Sequence, residues 1–260
     1  MAGRPEGGAR RPDEAAAKSL LAAAGLPVPL GRRAADTAEA VAAAEALGYP
    51  VAVKALGVAH KSEAGAVKLN LRDAGAVHDA ADAMAGLGTG LYVERMVNGG
   101  IAELIVGVTR DPLFGPVMTV GTGGVLVELL KDSRTLLLPS SRADIEAALR
   151  SLQMFPLLDG YRGRPKADIA AAVDAIAAIA EFALANAGTL EELDVNPLIV
   201  CENGAWVADA LMVFSPIFPL RGGGGPELVD GDAGEGIPHD LVLSTPTQTG
   251  PAGLGGGGKD

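Results

Sequence analysis

The residues best suited to chemistry gather in Leu193–Asp209, LDVNPLIVCENGAWVAD. Polar and apolar side chains alternate from Leu193 to Asn196 before the stretch becomes continuously apolar, the pattern of a strand with one face toward a site and the other toward a core. On such a strand Asp194 and Asn196 share a face. Glu202-Asn203-Gly204 supplies turn chemistry, and Ala205 to Asp209 reads as the returning arm of a hairpin that carries Asp209 back beside Asn196. The Asp209 carboxylate and the Asn196 amide oxygen are hard donors, of the kind Mg²⁺ takes when it also rides on a substrate's phosphates. A hairpin with two acids is equally at home on an ordinary surface, and spacing alone does not choose between the two.

Three further segments have side chains or backbone suited to a phosphorylated ligand. Lys54 closes the short apolar strand Val51–Ala55, where an ammonium must face a cleft or an anion. Gly121-Thr122-Gly123-Gly124 joins two apolar runs and offers backbone N–H groups; it is either a phosphate cradle or an ordinary turn between strands. His60 lies beside Lys61 in a loop of small residues, where it is either a solvated histidine or a group able to carry a phosphoryl or a proton. No GxxxxGK[ST] occurs and no GxGxxG opens a helix after a strand, so neither a P-loop nor a Rossmann dinucleotide site is encoded.

The elements that must hold these groups follow from periodicity and punctuation. The 260 residues are 48% hydrophobic but only 3% aromatic, so Val, Leu, Ile and Ala build the core. The formal charge of −11 excludes a basic footprint for nucleic acid or an anionic membrane. Cys201 is the only cysteine, which rules out an internal disulfide and fits a reducing, cytoplasmic setting. No secretory h-region or membrane-length apolar run is present. Residues 1–12 and the Gly- and Pro-rich tail 220–260 read as disordered. Residues 13–97 read as a first lobe: a helix opened by Asp13, a helix from Ala38 to Leu47 capped by Thr37, strands Val51–Ala55 and Ala66–Leu71, a helix Asp73–Ala85, and a strand Leu91–Val97. Residues 98–219 read as a second lobe, with strands Ala102–Val108, Gly115–Val120 and Val125–Leu130 and a helix to Leu152. A long helix, Ala167–Ala187, carries the stripe Ile169, Val173, Ile176, Ala180 and Leu184, and the Leu193–Asp209 hairpin follows it. This is an α+β chain of two lobes.

Beside these patterns, five blocks carry a resemblance. LLAAAGLPVP, YPVAVKALGVAHKSEAGAVKLNL, YVERMVNGGIAELIVGVTRDPLFGPVMTVGTGGVLVELLKD, GYRGRP, and ELDVNPLIV with VADALM resemble, in order, the ATP-grasp (beta) subunit of the nucleoside-diphosphate-forming acyl-CoA synthetases. That family includes the ADP-forming acetate–CoA ligases, with succinyl-CoA synthetase beta chains as more distant relatives. The resemblance covers about residues 14 to 214.

It implies an ATP-grasp fold in which two α+β lobes clamp ATP or ADP. Lys54 would meet a phosphate. The stretch Glu94 to Val97, including Met96, would present backbone groups to adenine, and Glu103 would suit the ribose hydroxyls. Gly121, Gly123 and Gly124 would face the phosphates or an incoming phosphohistidine loop, and Asn196 and Asp209 match the family's Mg²⁺ positions. His60 matches a second phosphoryl-carrying histidine of some members. Family loops often read HKSDVGGV; here Glu63 and Ala66 replace an Asp and a Gly. The implied reaction is acyl-CoA + ADP + phosphate to acid + ATP + CoA, reversibly, with a CoA-binding alpha subunit carrying the phosphohistidine in a hetero-oligomer. Two other readings share the fold: a self-contained ATP-grasp carboxylate ligase, and a nucleotide-sensing module of an acyltransferase.

Overall fold

Helix starts follow the acids in the sequence. In the computed structural model, which describes residues 8–58, 64–124 and 132–216, the Asp13 carboxylate accepts from the Ala16 N–H and opens α1 (Glu14–Ala23). Asp36 does the same through Glu39 N–H for α2 (Thr37–Leu47), and Asp73 through Ala76 N–H for α3 (Ala74–Ala83). Thr37 therefore does not cap α2 as expected. It occupies the first helical position and donates its hydroxyl to Asp82, because the carboxylate one residue earlier already reaches the third amide.

The first sheet holds β1 (Gly31–Ala34), β2 (Val51–Ala55), β3 (Val67–Leu71) and β4 (Leu91–Arg95), in the antiparallel order β1-β4-β2-β3. Ala40, Ala44 and Leu47 of α2 and Val77 of α3 pack on Val51, Val53 and Val93 to form its core. The second sheet runs β10-β8-β5-β6-β7, with β9 paired to β8. Its strands are β5 (Gly100–Asp111), β6 (Gly115–Thr122), β7 (Ser133–Leu137), β8 (Leu190–Cys201), β9 (Ala205–Val207) and β10 (Ala210–Phe214). Helices α4 (Arg142–Arg150), α5 (Phe155–Leu158) and α6 (Ile169–Ala185) belong to the same half of the chain. Leu104, Val106, Met118, Val120, Leu193 and Val195 share a core with Ile145, Leu149, Ile176 and Ile179. Ile179 lies outside the expected α6 stripe yet is fully buried, as is Ile176; each contributes about 1.5–3 kcal/mol by leaving water.

Helix α1 serves both sheets. Ala17 and Leu21 belong to the larger core, whereas Ala15 clusters with Leu56 and Tyr92 beside the smaller sheet. Grouping this helix with a first lobe at 13–97 thus describes only half of its packing. All described residues fall in one compact unit, so contacts between the two sheets are contacts within it. Arg10, inside the stretch expected to be disordered, exchanges both backbone hydrogen bonds with Phe214, and its guanidinium lies 4.9 Å from that ring's centroid. The expected strand Val125–Leu130 and the tail 220–260 lie outside the described residues. Among the described residues no helix is long and apolar enough to cross a membrane.

Candidate active site

On the second sheet, Glu103 of β5 and Asp194 and Asn196 of β8 alternate with the core residues that pack with α6. Leu193 and Val195 are fully buried in the core, so Asp194 and Asn196 share the opposite face as their alternation requires. The buried set passes from odd to even positions, Leu198 and Val200, across Asn196-Pro197, where β8 shifts register on β5. Asp168, the N-cap of α6, anchors the hairpin turn by accepting from the Gly204 N–H at 3.0 Å. The returning arm then donates Ala208 N–H to the Pro197 carbonyl, and Asn196 N–H donates to the Asp209 carbonyl at 3.2 Å. The two residues expected to share a metal are therefore neighbours in the fold.

Asp194 is half-buried, and its carboxyl is held above the usual range by burial first, then by the charges of Glu192 and Asp209. Opposite it on β5 stands Gly107. Among the described residues no three His, Cys, Asp or Glu side chains gather to hold a metal by themselves. The Asn196 and Asp209 oxygens suit a hard cation that draws most of its ligands from phosphate and water, so the donor set fits Mg²⁺ and not a closed metal centre.

The glycine turn is built against Glu103. Gly123 N–H donates to the Glu103 carbonyl at 2.7 Å, and a Cβ on Gly123 would fall 2.8 Å from the Glu103 carbonyl carbon. Gly124 has a positive φ of 69°, and its Cβ position is 2.7 Å from Glu103 Oε2. Glu103 and Gly121–Gly124 are thus one unit, set by the β5–β6 pairing. Sequence reading missed its support, Asp132. This buried carboxylate accepts from the Thr122 hydroxyl at 3.0 Å and the Met154 N–H at 3.1 Å, with Arg134 at 3.5 Å. Burial alone would raise its pKa; backbone hydrogen bonds from Gln153 and Met154, then Thr122 and Arg134, hold it below the ordinary value.

Lys54 is buried, and the anions it meets belong to the protein. Its Nζ lies 2.6 Å from Glu14 Oε1, 2.6 Å from Glu94 Oε1 and 2.8 Å from the Ala208 carbonyl. Lys18, with 1% exposure, reaches the same three groups: Glu94 Oε2, the Ala208 carbonyl at 2.6 Å and Glu14 Oε1 at 3.6 Å. Two lysines and two glutamates form a charge-balanced cluster between α1, the first sheet and the loop before β10. Burial would lower the Lys54 pKa, but Glu94, Glu14 and Asp209 raise it above the ordinary lysine value. Lys18 is lowered, by burial and then by Lys54. Tyr92, whose ring centroid is 5.6 Å from Lys18 Nζ, is pushed up to about 12 by burial, Glu94 and Glu14. Glu14 and Lys18 escaped the sequence reading, although Glu14, Lys18 and Leu21 recur at the spacing of one buried helix stripe.

The expectation that Glu94 to Val97 presents backbone groups to a base needs correction at its start. Strand β4 is interior, so Glu94 lies between Gly31 and Ala52 and its side chain belongs to the lysine cluster. Strand pairing ends at Arg95; beyond it Met96 N–H donates to the Pro50 carbonyl at 3.1 Å. Any backbone group offered to a base must come from the Met96-Val97 end. His60 lies outside the described residues.

Comparison with known proteins matches residues 5–214 to the ATP-grasp domain family. The chain is 39% identical over 210 residues to a trans-feruloyl-CoA synthase from an unknown prokaryotic organism, covering 76% of this chain but 29% of that protein. It is 34% identical over 216 residues to the beta subunit of the ADP-forming acetate–CoA ligase I of Pyrococcus furiosus, covering 77% of this chain and 90% of that subunit. Among solved structures it resembles the acetyl-coenzyme A synthetase 1 of Ca. Korarchaeum cryptofilum, in complex with coenzyme A and Mg-AMPPCP and with its phosphohistidine segment pointing towards the nucleotide binding site. That likeness has a TM-score of 0.69 at 34% identity and covers 78% of this chain and 92% of that one. The chain thus spans nearly all of a separate beta subunit but about three-tenths of a longer relative.

Proposed function

Because the chain belongs to the ATP-grasp family, we propose that it is the nucleotide-binding beta-type component of an ADP-forming acyl-CoA synthetase. One observation carries this reading. The lysine expected at a phosphate and the acid expected at a metal come from different sheets, yet Lys54 Nζ lies 2.8 Å from the carbonyl of Ala208, the residue before Asp209. A nucleotide seated there meets a cation from one sheet and oxygen donors from the other.

In this reading Glu103 accepts from the ribose hydroxyls, and the Gly121–Gly124 turn brings backbone close to the phosphates without side-chain obstruction. Lys54 offsets charge on the transferring phosphoryl group. Asn196 and Asp209 would hold Mg²⁺, which supplies neutralisation of phosphate oxygens. The phosphoryl group exchanges with a histidine of a CoA-binding alpha subunit, as the phosphohistidine segment of the Korarchaeum synthetase supports. We read His60, which matches a phosphoryl-carrying histidine of some family members, as a second carrier of that group. The net charge of −11 and single cysteine support a cytoplasmic protein with no nucleic-acid role.

The test is assembly. Purified chain with acetate, CoA and Mg-ATP is expected to form no acyl-CoA, and to turn over once a CoA-binding chain is added. Robust turnover alone would establish a self-contained ligase instead. In the assembled enzyme, His60→Asn is expected to keep ADP affinity and lose most rapid-quench transfer from the phosphorylated partner to ADP. Transfer at the unmodified rate would make His60 an ordinary loop residue.

A further inference from the structure

An ammonium has three N–H donors. Those of Lys54 face three oxygens within 2.8 Å, on Glu14, Glu94 and Ala208, so a phosphate can be accepted only if one of them is released. Release should be strongly disfavoured, because it leaves a buried carboxylate or carbonyl without its cation. Yet each of the three groups is already within reach of a second buried ammonium, that of Lys18.

We propose that Lys18 is a positioning residue that takes over the partners of Lys54 when a phosphate arrives. The inference rests on the reading of Lys54 as the phosphate-binding lysine. Lys54 turns its donors toward the phosphate, and Lys18 keeps Glu94, Glu14 and the Ala208 carbonyl satisfied. The Ala208 carbonyl stays anchored throughout, and with it the position of Asp209, its neighbour in the chain. No proton moves in this exchange: two ammonium groups against two carboxylates become one against two, with the other on the incoming anion, and Lys18, in reach of both carboxylates, offsets the charge left behind. Lys18 never touches the ligand. Its position on α1, the helix that packs on both sheets, lets it hold the clasp closed while Lys54 reorients.

The test separates phosphate binding from nucleoside binding. Calorimetric titrations with ADP and with adenosine, in excess Mg²⁺, are compared for the unmodified chain, Lys18→Met, Lys18→Arg and Lys54→Met. Lys18→Met is expected to lower ADP affinity about tenfold to a hundredfold while changing adenosine affinity less than about twofold, with partial recovery in Lys18→Arg. If Lys54→Met loses ADP while Lys18→Met binds it normally, the takeover is wrong and the Lys54 reading stands. If Lys54→Met binds ADP normally, both are wrong. Equal loss of ADP and adenosine in Lys18→Met would reduce Lys18 to a structural residue. Should Lys18→Met fail to fold, ¹⁵N-detected lysine ammonium signals of the unmodified chain decide the matter. ADP, and not adenosine, is expected to shift the Lys18 signal, and an unmoved Lys18 signal on saturation with ADP overturns the proposal.

Discussion

Gly123→Ala is expected to leave a folded but less stable chain whose ADP affinity is about tenfold or more weaker. The added methyl would meet the Glu103 carbonyl carbon at 2.8 Å, its oxygen at 2.9 Å and the Leu104 carbonyl carbon at 3.0 Å. All three are backbone atoms of β5, so no flexible side chain can swing aside. Either β5 and β6 part or the Gly123 N–H gives up its 2.7 Å bond to Glu103. Overpacking of this kind costs about 1–3 kcal/mol, which a denaturation midpoint resolves. The affinity loss follows because Glu103 and the glycine turn are one unit, and separating them moves both the residue assigned to the ribose and the backbone assigned to the phosphates. Gly188→Ala is the control: its Cβ position meets nothing within 4 Å, and the change should stay within about 0.5 kcal/mol. Unaltered ADP affinity in Gly123→Ala would make the glycine segment a plain connection between strands.

How far this site can be read from the chain depends on how local its contacts are. The hairpin was legible because period-two alternation, a Glu-Asn-Gly turn and the returning arm lie within one short stretch. Lys54 announced itself as a charge at the end of an apolar strand. Its partners did not, since Glu14 lies 40 positions away in the chain and Ala208 lies 154 away. Glu14 and Lys18 on an alanine-rich helix look like a solvated i,i+4 pair until the helix is laid against two sheets. Strands were missed where alternation is weak. Gly-Arg-Arg-Ala of β1 has no apolar face, and β7, the last strand of its sheet among the described residues, leaves Leu137 exposed. The capping acid of α2 was displaced by one residue because Asp and Thr stand side by side and both can cap.

The hairpin also allows a test in which the sign of the effect, and not only its size, identifies the role of Asp209. Asp209→Asn is expected to weaken ADP binding about tenfold to a hundredfold in excess Mg²⁺, and Asn196→Ala to weaken it less, because an amide oxygen carries no formal charge. Both chains should fold, since the bond joining these residues runs between the Asn196 N–H and the Asp209 carbonyl and uses neither side chain. With Mg²⁺ removed by EDTA the physics reverses. A carboxylate beside a diphosphate is then a like charge, and Asp209 also raises the carboxyl pKa of Asp194, so it faces other negative charge even without ligand. Removing it should leave ADP affinity equal to or higher than that of the unmodified chain. Calorimetric titrations of ADP with and without Mg²⁺ supply the comparison. A residue that merely shaped the hairpin would weaken binding in both conditions alike. Only a group that attracts the cation and repels the naked phosphates should change sign between them, so equal losses with and without Mg²⁺ would remove Asp209 from the metal site and leave the hairpin a structural element.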